Sequence, residues 1–103
     1  MIAEQLKPEI KKAVLILKDA GAGKVYIFGS ALTGKFNSDS DIDLGISGLP
    51  PESFFSVYSR LASSINRNID LVDFDKESDF FNMLKEINEV EEIELFLDSE
   101  QLR

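Results

Sequence analysis

Between residues 24 and 47, two short apolar runs flank a tract of turn-forming residues, and this pattern leaves few folds open. The first run, Lys24-Val25-Tyr26-Ile27-Phe28, is β-rich and stops at Gly29-Ser30. The second, Ile42 to Ser47, alternates. Ile42, Leu44 and Ile46 face one way, and Asp41, Asp43 and Gly45 face the other. The tract between them, ALTGKFNSDS at 31–40, is turn chemistry with one helical turn inside. Two strands joined this closely are expected side by side in one sheet, with the first in a central position.

The rest of the chain supplies helices to cover that sheet. Leu6, Ile10, Ala13, Val14 and Leu17 recur at three- and four-residue intervals, which predicts an amphipathic helix over 6–20, ended by Gly21 and Gly23. Pro8 suits only its first turn. After Pro50-Pro51, a stripe of Phe54, Tyr58, Leu61 and Ile65 predicts a second helix. Ile69 to Phe74 reads as a third strand. Phe80, Phe81, Leu84 and Ile87 mark a third helix, with Ser78 or Asp79 as its cap. Ile93, Leu95 and Leu97 alternate as a final short strand. The order implies an α+β, sandwich-like fold: a small mixed β-sheet with helices packed on it. At 103 residues the chain reads as a single domain, 1–103, with 98–103 a frayed tail.

Composition removes whole classes of chemistry. The sequence contains no cysteine and no histidine. Disulfides, thiolate or imidazole zinc sites and Ser-His or Cys-His nucleophile pairs are therefore excluded. Catalysis would have to use carboxylates, hydroxyls, lysines or an oxygen-held metal. The net charge of −8 falls entirely in residues 52–103, with thirteen acids against five bases. Such a surface repels a phosphate backbone, so no nucleic-acid partner is expected, and any phosphate it handles arrives with a divalent cation. No apolar run approaches a membrane span and no signal peptide opens the chain, so no membrane partner is expected and the expected placement is cytoplasmic.

Three motifs could carry function. Gly29 to Phe36 nearly spells a P-loop, but Phe36 stands where a hydroxyl should hold Mg²⁺. Asp39-x-Asp41-x-Asp43 imitates the start of a calcium loop, but Leu44 and Pro50 occupy the positions that require glycine and a bidentate acid. The third survives. Gly29-Ser30 ends one strand, ten residues intervene, and Asp41-Ile42-Asp43 opens the next. Two carboxylates spaced i and i+2 on a strand share a face, with Cα atoms about 6.5–7 Å apart. Such a pair can bracket two hard cations about 3.5–4 Å apart when substrate phosphates complete the coordination. Gly29 lets backbone approach a phosphate closely, and Ser30 adds a hydroxyl and an N–H. Taken singly, a DxD at a strand mouth is a solvated turn and a Gly-Ser pair a strand end; their combination at this separation is what points to a site.

Gly29-Ser30-x10-Asp41-x-Asp43, within VYIFGSALTGKFNSDSDIDLGIS, resembles the signature of the DNA-polymerase-beta-like nucleotidyltransferase superfamily. The tract Ser40-Asp41-Ile42-Asp43-Leu44 and the short length look most like its minimal nucleotidyltransferases, over about residues 8 to 97. The family's third carboxylate, on a later strand, matches Asp70 in Asn68-Ile69-Asp70-Leu71-Val72-Asp73. Asp73 is the neighbouring competitor, but three residues along a strand it points to the opposite face.

The resemblance implies two-metal nucleotidyl transfer. Asp41 and Asp43 would bind Mg²⁺ with a nucleoside triphosphate, ATP foremost. Asp70 would share the catalytic metal and help activate an attacking hydroxyl, and Gly29 and Ser30 would hold the outgoing phosphates. Minimal members are often encoded with a helical HEPN-type protein, some as toxin–antitoxin pairs in which the transferase adds AMP to a tyrosine of the toxin. The expected function is thus AMP transfer to a partner hydroxyl, with a non-catalytic nucleotide-binding or antitoxin subunit as the alternative. One departure favours the alternative. Minimal members often carry arginines in the loop after Gly-Ser, where this chain has Ala31, Thr33 and Asn37, with Lys35 as the loop's only cation.

Overall fold

In the computed structural model, which describes residues 6–33 and 40–94, the stripe expected on the first helix is buried. Helix α1 (Lys7–Asp19) turns Ile10, Ala13, Val14 and Leu17 inward, with Pro8 in its first turn. It ends at Ala20, where Gly21 takes φ 108°. The Gly21 and Ala22 N–H groups then donate to the Lys18 and Leu17 carbonyls at 3.0 and 3.1 Å, closing the last turn.

Strand β1 (Lys24–Phe28) follows, then a single helical turn, α2 (Ser30–Thr33), and strand β2 (Ile42–Ser47). A 3-10 turn at Pro51–Ser53 leads into α3 (Phe54–Ser64), β3 (Ile69–Asp73), α4 (Ser78–Glu86) and β4 (Val90–Ile93). The sheet order is β3-β2-β1-β4. β1 is central and pairs antiparallel with both β2 and β4, while β2 and β3 run parallel. The mixed sheet with packed helices is the fold class expected from the alternation of elements.

Strand alternation divides the interior into two layers. Val25, Ile27, Ile42, Leu44, Ile46, Ile69 and Leu71 face α1 and α3 in the main core. Tyr26, Phe28, Val72 and Phe74 face α4, where they meet Phe80, Phe81 and Leu84. This second layer is aromatic: Phe74 stacks on Phe81 with centroids 4.4 Å apart, and Phe80 meets Phe28 edge-on at 5.5 Å. Gly45 makes room for it, because a Cβ there would overlap the Phe74 ring.

Two expectations need correction. The last strand among the described residues, β4, starts at Val90, ahead of the expected Ile93, and its bounds end at Ile93; Leu95 and Leu97 lie outside the described residues, as does the expected tail at 98–103. Asn88, at φ 60°, sets that earlier start. The Asn88 and Glu89 N–H groups donate to the Lys85 and Leu84 carbonyls at 3.2 and 2.9 Å, so α4 stops and the chain turns back beside β1. The cap of α4 is Glu77, without a side-chain cap hydrogen bond; Ser78 and Asp79 are already inside the first turn. Among the described residues, no helix is long and apolar enough to cross a membrane.

Candidate functional site

Antiparallel pairing of β1 with β2, and parallel pairing of β2 with β3, brings the end of β1 to the same rim as the beginnings of β2 and β3. Phe28 is the register partner of Asp43 on one side, and Asp70 is its partner on the other. Asp43 and Asp70 therefore project from the same face of adjacent strands, the face that carries Phe28 and Val72. Asp41 immediately precedes β2 and is exposed; Asp43 is half-buried and Asp70 exposed. Asp73, opposite Ile46, lies at the far end of β3, where its Oδ1 accepts the Asp75 N–H at 3.0 Å. That is a turn-forming role.

Gly29 sits directly over Asp43. Its φ of 79° is one that residues with a side chain rarely adopt, and a Cβ there would overlap the Asp43 carboxylate. Its carbonyl accepts the Leu32 and Thr33 N–H groups at 3.0 and 3.1 Å, which folds Ser30–Thr33 into one helical turn. Ser30 is half-buried at the start of that turn, and Ala31 is buried beneath it. Lys35 and Asn37 lie outside the described residues.

Burial, first, and then the charges of Asp70 and Asp41 raise the Asp43 carboxyl from the usual 3.8 to about 6. The three acids singled out in the sequence thus form one electrostatic group. It is an open group: among the described residues, no three acidic side chains converge into a ready-made metal cage. The donor set is nevertheless all oxygen and hard. Mg²⁺ typically takes one or two carboxylates and completes its shell with water and substrate phosphate, so an open, mutually repelling set fits that ion better than a closed cage would.

One residue at this rim escapes sequence reasoning. Arg67, in the link from α3 to β3, donates from Nε to Glu9 Oε1 at 3.1 Å and from Nη1 to the Ser40 carbonyl at 3.3 Å. It joins α1 to the residue just before Asp41. Its closeness in sequence to Asp70 is the only signal that could have marked it.

Comparison with known proteins agrees with this fold. The family model described as "Polymerase beta, Nucleotidyltransferase" matches residues 6–98. A search of curated proteins gave no significant match. Among solved structures, the chain is similar to one in a toxin–antitoxin crystal structure with AMP-PNP, at 23% identity and a TM-score of 0.61, covering 84% of this chain and 70% of that one. It is also similar to a chain of the MntA-HepT toxin–antitoxin crystal structure, at 22% identity and a TM-score of 0.57, covering 86% and 70%. Identities this low speak for the fold. The family match over nearly the whole chain says more: this chain belongs to the polymerase-beta nucleotidyltransferase family.

Proposed function

We propose that the chain is a Mg²⁺-dependent minimal nucleotidyltransferase that transfers AMP from ATP to a hydroxyl of a partner protein, a helical HEPN-type toxin, and so acts as its antitoxin. The observation that carries the reading is the placement of Asp43 beside Asp70 and under Gly29 at one sheet rim. The likeness to chains of toxin–antitoxin crystal structures, one with AMP-PNP, supports the choice of nucleotide and partner.

Asp41 and Asp43 would hold Mg²⁺ with the triphosphate, and Asp43 and Asp70 the catalytic ion. When bound, the ions neutralise charge on the attacking and leaving oxygens of an in-line displacement. In that displacement the acceptor oxygen bonds to the α-phosphorus, the bond from that phosphorus to the bridging oxygen breaks, and pyrophosphate leaves. Asp70, exposed where Asp43 is half-buried, would help remove the proton of the acceptor hydroxyl. The Gly29-Ser30 turn brings backbone close to the outgoing phosphates, where a larger residue at 29 would collide with Asp43.

A second reading, a non-catalytic nucleotide-binding or antitoxin subunit, draws on the loop after Gly29-Ser30. Ala31 is buried and Thr33 carries no charge, so neither supplies the cation that a triphosphate would use during turnover. Incubation with Mg²⁺ and labelled ATP, with and without the protein encoded beside this one, separates the two. Label on a tyrosine, serine or threonine of the partner, lost with Asp41→Asn, supports transfer. Tight nucleotide binding with no label anywhere supports the regulatory subunit.

A further inference from the structure

We propose that the outer edge of β3, with the cleft beside it, docks an extended segment of a partner protein that carries lysine or arginine next to apolar residues. The surface runs from the middle of β3 to its far end, while the carboxylate rim lies at its start, so it could bind whether or not that rim turns over.

The sheet ends at β3 among the described residues. Phe74 N–H donates to the Ile46 carbonyl at 2.8 Å, and the Asn68 carbonyl accepts the Ile42 N–H at 3.0 Å, so the even-numbered residues of this stretch point their peptide groups at β2. By the alternation of a strand, Leu71 and Asp73 point theirs outward. The Asp73 carbonyl is taken by the Lys76 and Glu77 N–H groups at 3.1 and 2.9 Å. Among the described residues, no strand pairs with the Leu71 N–H and C=O or the Asp73 N–H, and they face a cleft of about 440 Å³ that both residues line.

Aromatic side chains form part of the walls of that cleft. Phe54 and Phe55 come from the first turn of α3, and Phe80 from the first turn of α4. Phe55 is 82% exposed, its ring set edge-on to Phe54 at 5.5 Å. A large aromatic this exposed beside an open strand edge marks a binding surface more than a core position. The other sheet edge is protected differently: β4 places the exposed Glu91 and Glu92 along it.

Charge selects the occupant. Asp73 and Glu77 line the cleft against one cation, Lys76, and the half of the chain that builds it nets −8. A second copy would bring the same acids edge to edge, so like charges oppose self-pairing. A basic, extended segment instead gains main-chain bonds from Leu71 and Asp73, contacts with Phe55 and Phe80, and Coulombic attraction.

The test uses the full chain and a heptapeptide of alternating lysine and valine, followed by amide NMR shifts. Saturable shifts at Leu71, Val72 and Asp73 are expected. They should weaken about tenfold with glutamate in place of lysine, vanish when alternate peptide nitrogens are methylated, and weaken with Phe55→Ser, which is too exposed to matter for folding. Shifts spread over the whole acidic surface and indifferent to N-methylation would overturn the proposal. So would the absence of saturable shifts at these amides, or concentration-dependent changes there without peptide, which would assign the edge to self-association.

Discussion

Asp43 and Asp70 are direct register partners across the parallel β2–β3 pair, and no residue separates them along the sheet. Neighbouring carboxylates on one face repel unless a proton or a cation intervenes. Which of the two does so is set by pH and metal.

A pH dependence follows with a definite sign. Burial, with the charges of Asp70 and Asp41, pushes the Asp43 carboxyl from its usual 3.8 up to about 6 in the folded chain. Between those values the folded chain binds more protons than the unfolded one, so this group makes stability fall as pH rises. The metal-free protein should gain stability from Asp43→Asn at pH 7.5, and the gain should shrink towards pH 4. Mg²⁺ competes with the same proton, so its affinity should drop as pH falls through about 6. Urea melts of both proteins at the two pH values, with and without Mg²⁺, check both signs.

Gly29→Ala should damage the site more than the fold. The added methyl overlaps the Asp43 carboxylate, and φ 79° strains any residue with a Cβ. The expected result is a loss of Mg²⁺–ATP affinity exceeding tenfold, with a stability cost of about 1–3 kcal/mol. Calorimetry beside urea unfolding measures the two effects separately.

The aromatic layer makes a different demand. Gly45→Ala drives a methyl into the Phe74 ring, which Tyr26, Phe28, Phe80 and Phe81 already surround. Overpacking of this kind costs about 1–3 kcal/mol, and Phe74→Ala should cost about 3–5 kcal/mol through the cavity it leaves. In Phe74→Ala the glycine's constraint disappears. Gly45→Ala should therefore cost less in that background, a coupling that a double-mutant cycle on unfolding free energies would reveal.

Arg67 should act through Ser40. Arg67→Ala removes both the Glu9 ion pair and the bond to the Ser40 carbonyl, whereas Glu9→Gln keeps the latter. Both variants should lose stability, by about 1–3 kcal/mol for the part-buried arginine. Only Arg67→Ala should also weaken Mg²⁺–ATP binding, because only it removes the bond to the carbonyl of the residue before Asp41. Equal nucleotide affinity in the two would restrict Arg67 to holding α1 in place.

The sequence carried much of this because alternation and helical periodicity are local. Ile42, Leu44 and Ile46 against Asp41 and Asp43 gave the second strand its bounds and its faces, and the same alternation separated Asp70 from Asp73. β4 starts ahead of Ile93 because it is an edge strand with exposed Glu91 and Glu92, so apolar alternation does not mark its start; the left-handed Asn88 does. That Asp70 pairs with Asp43 and not with a neighbour depends on register, which no local pattern encodes. Gly45 beneath Phe74 and Arg67 against Ser40 are contacts between distant segments. They exist only once the sheet has formed.

The central claim is that the carboxylates at the mouths of β2 and β3 bind a Mg²⁺–nucleotide. The most direct measurement is a calorimetric titration of ATP, with and without Mg²⁺, into the natural chain and into Asp41→Asn combined with Asp43→Asn, with circular dichroism to verify the fold. The expected result is Mg²⁺-dependent binding to the natural chain and none to the folded double variant. Equal affinity in the two would contradict the assignment.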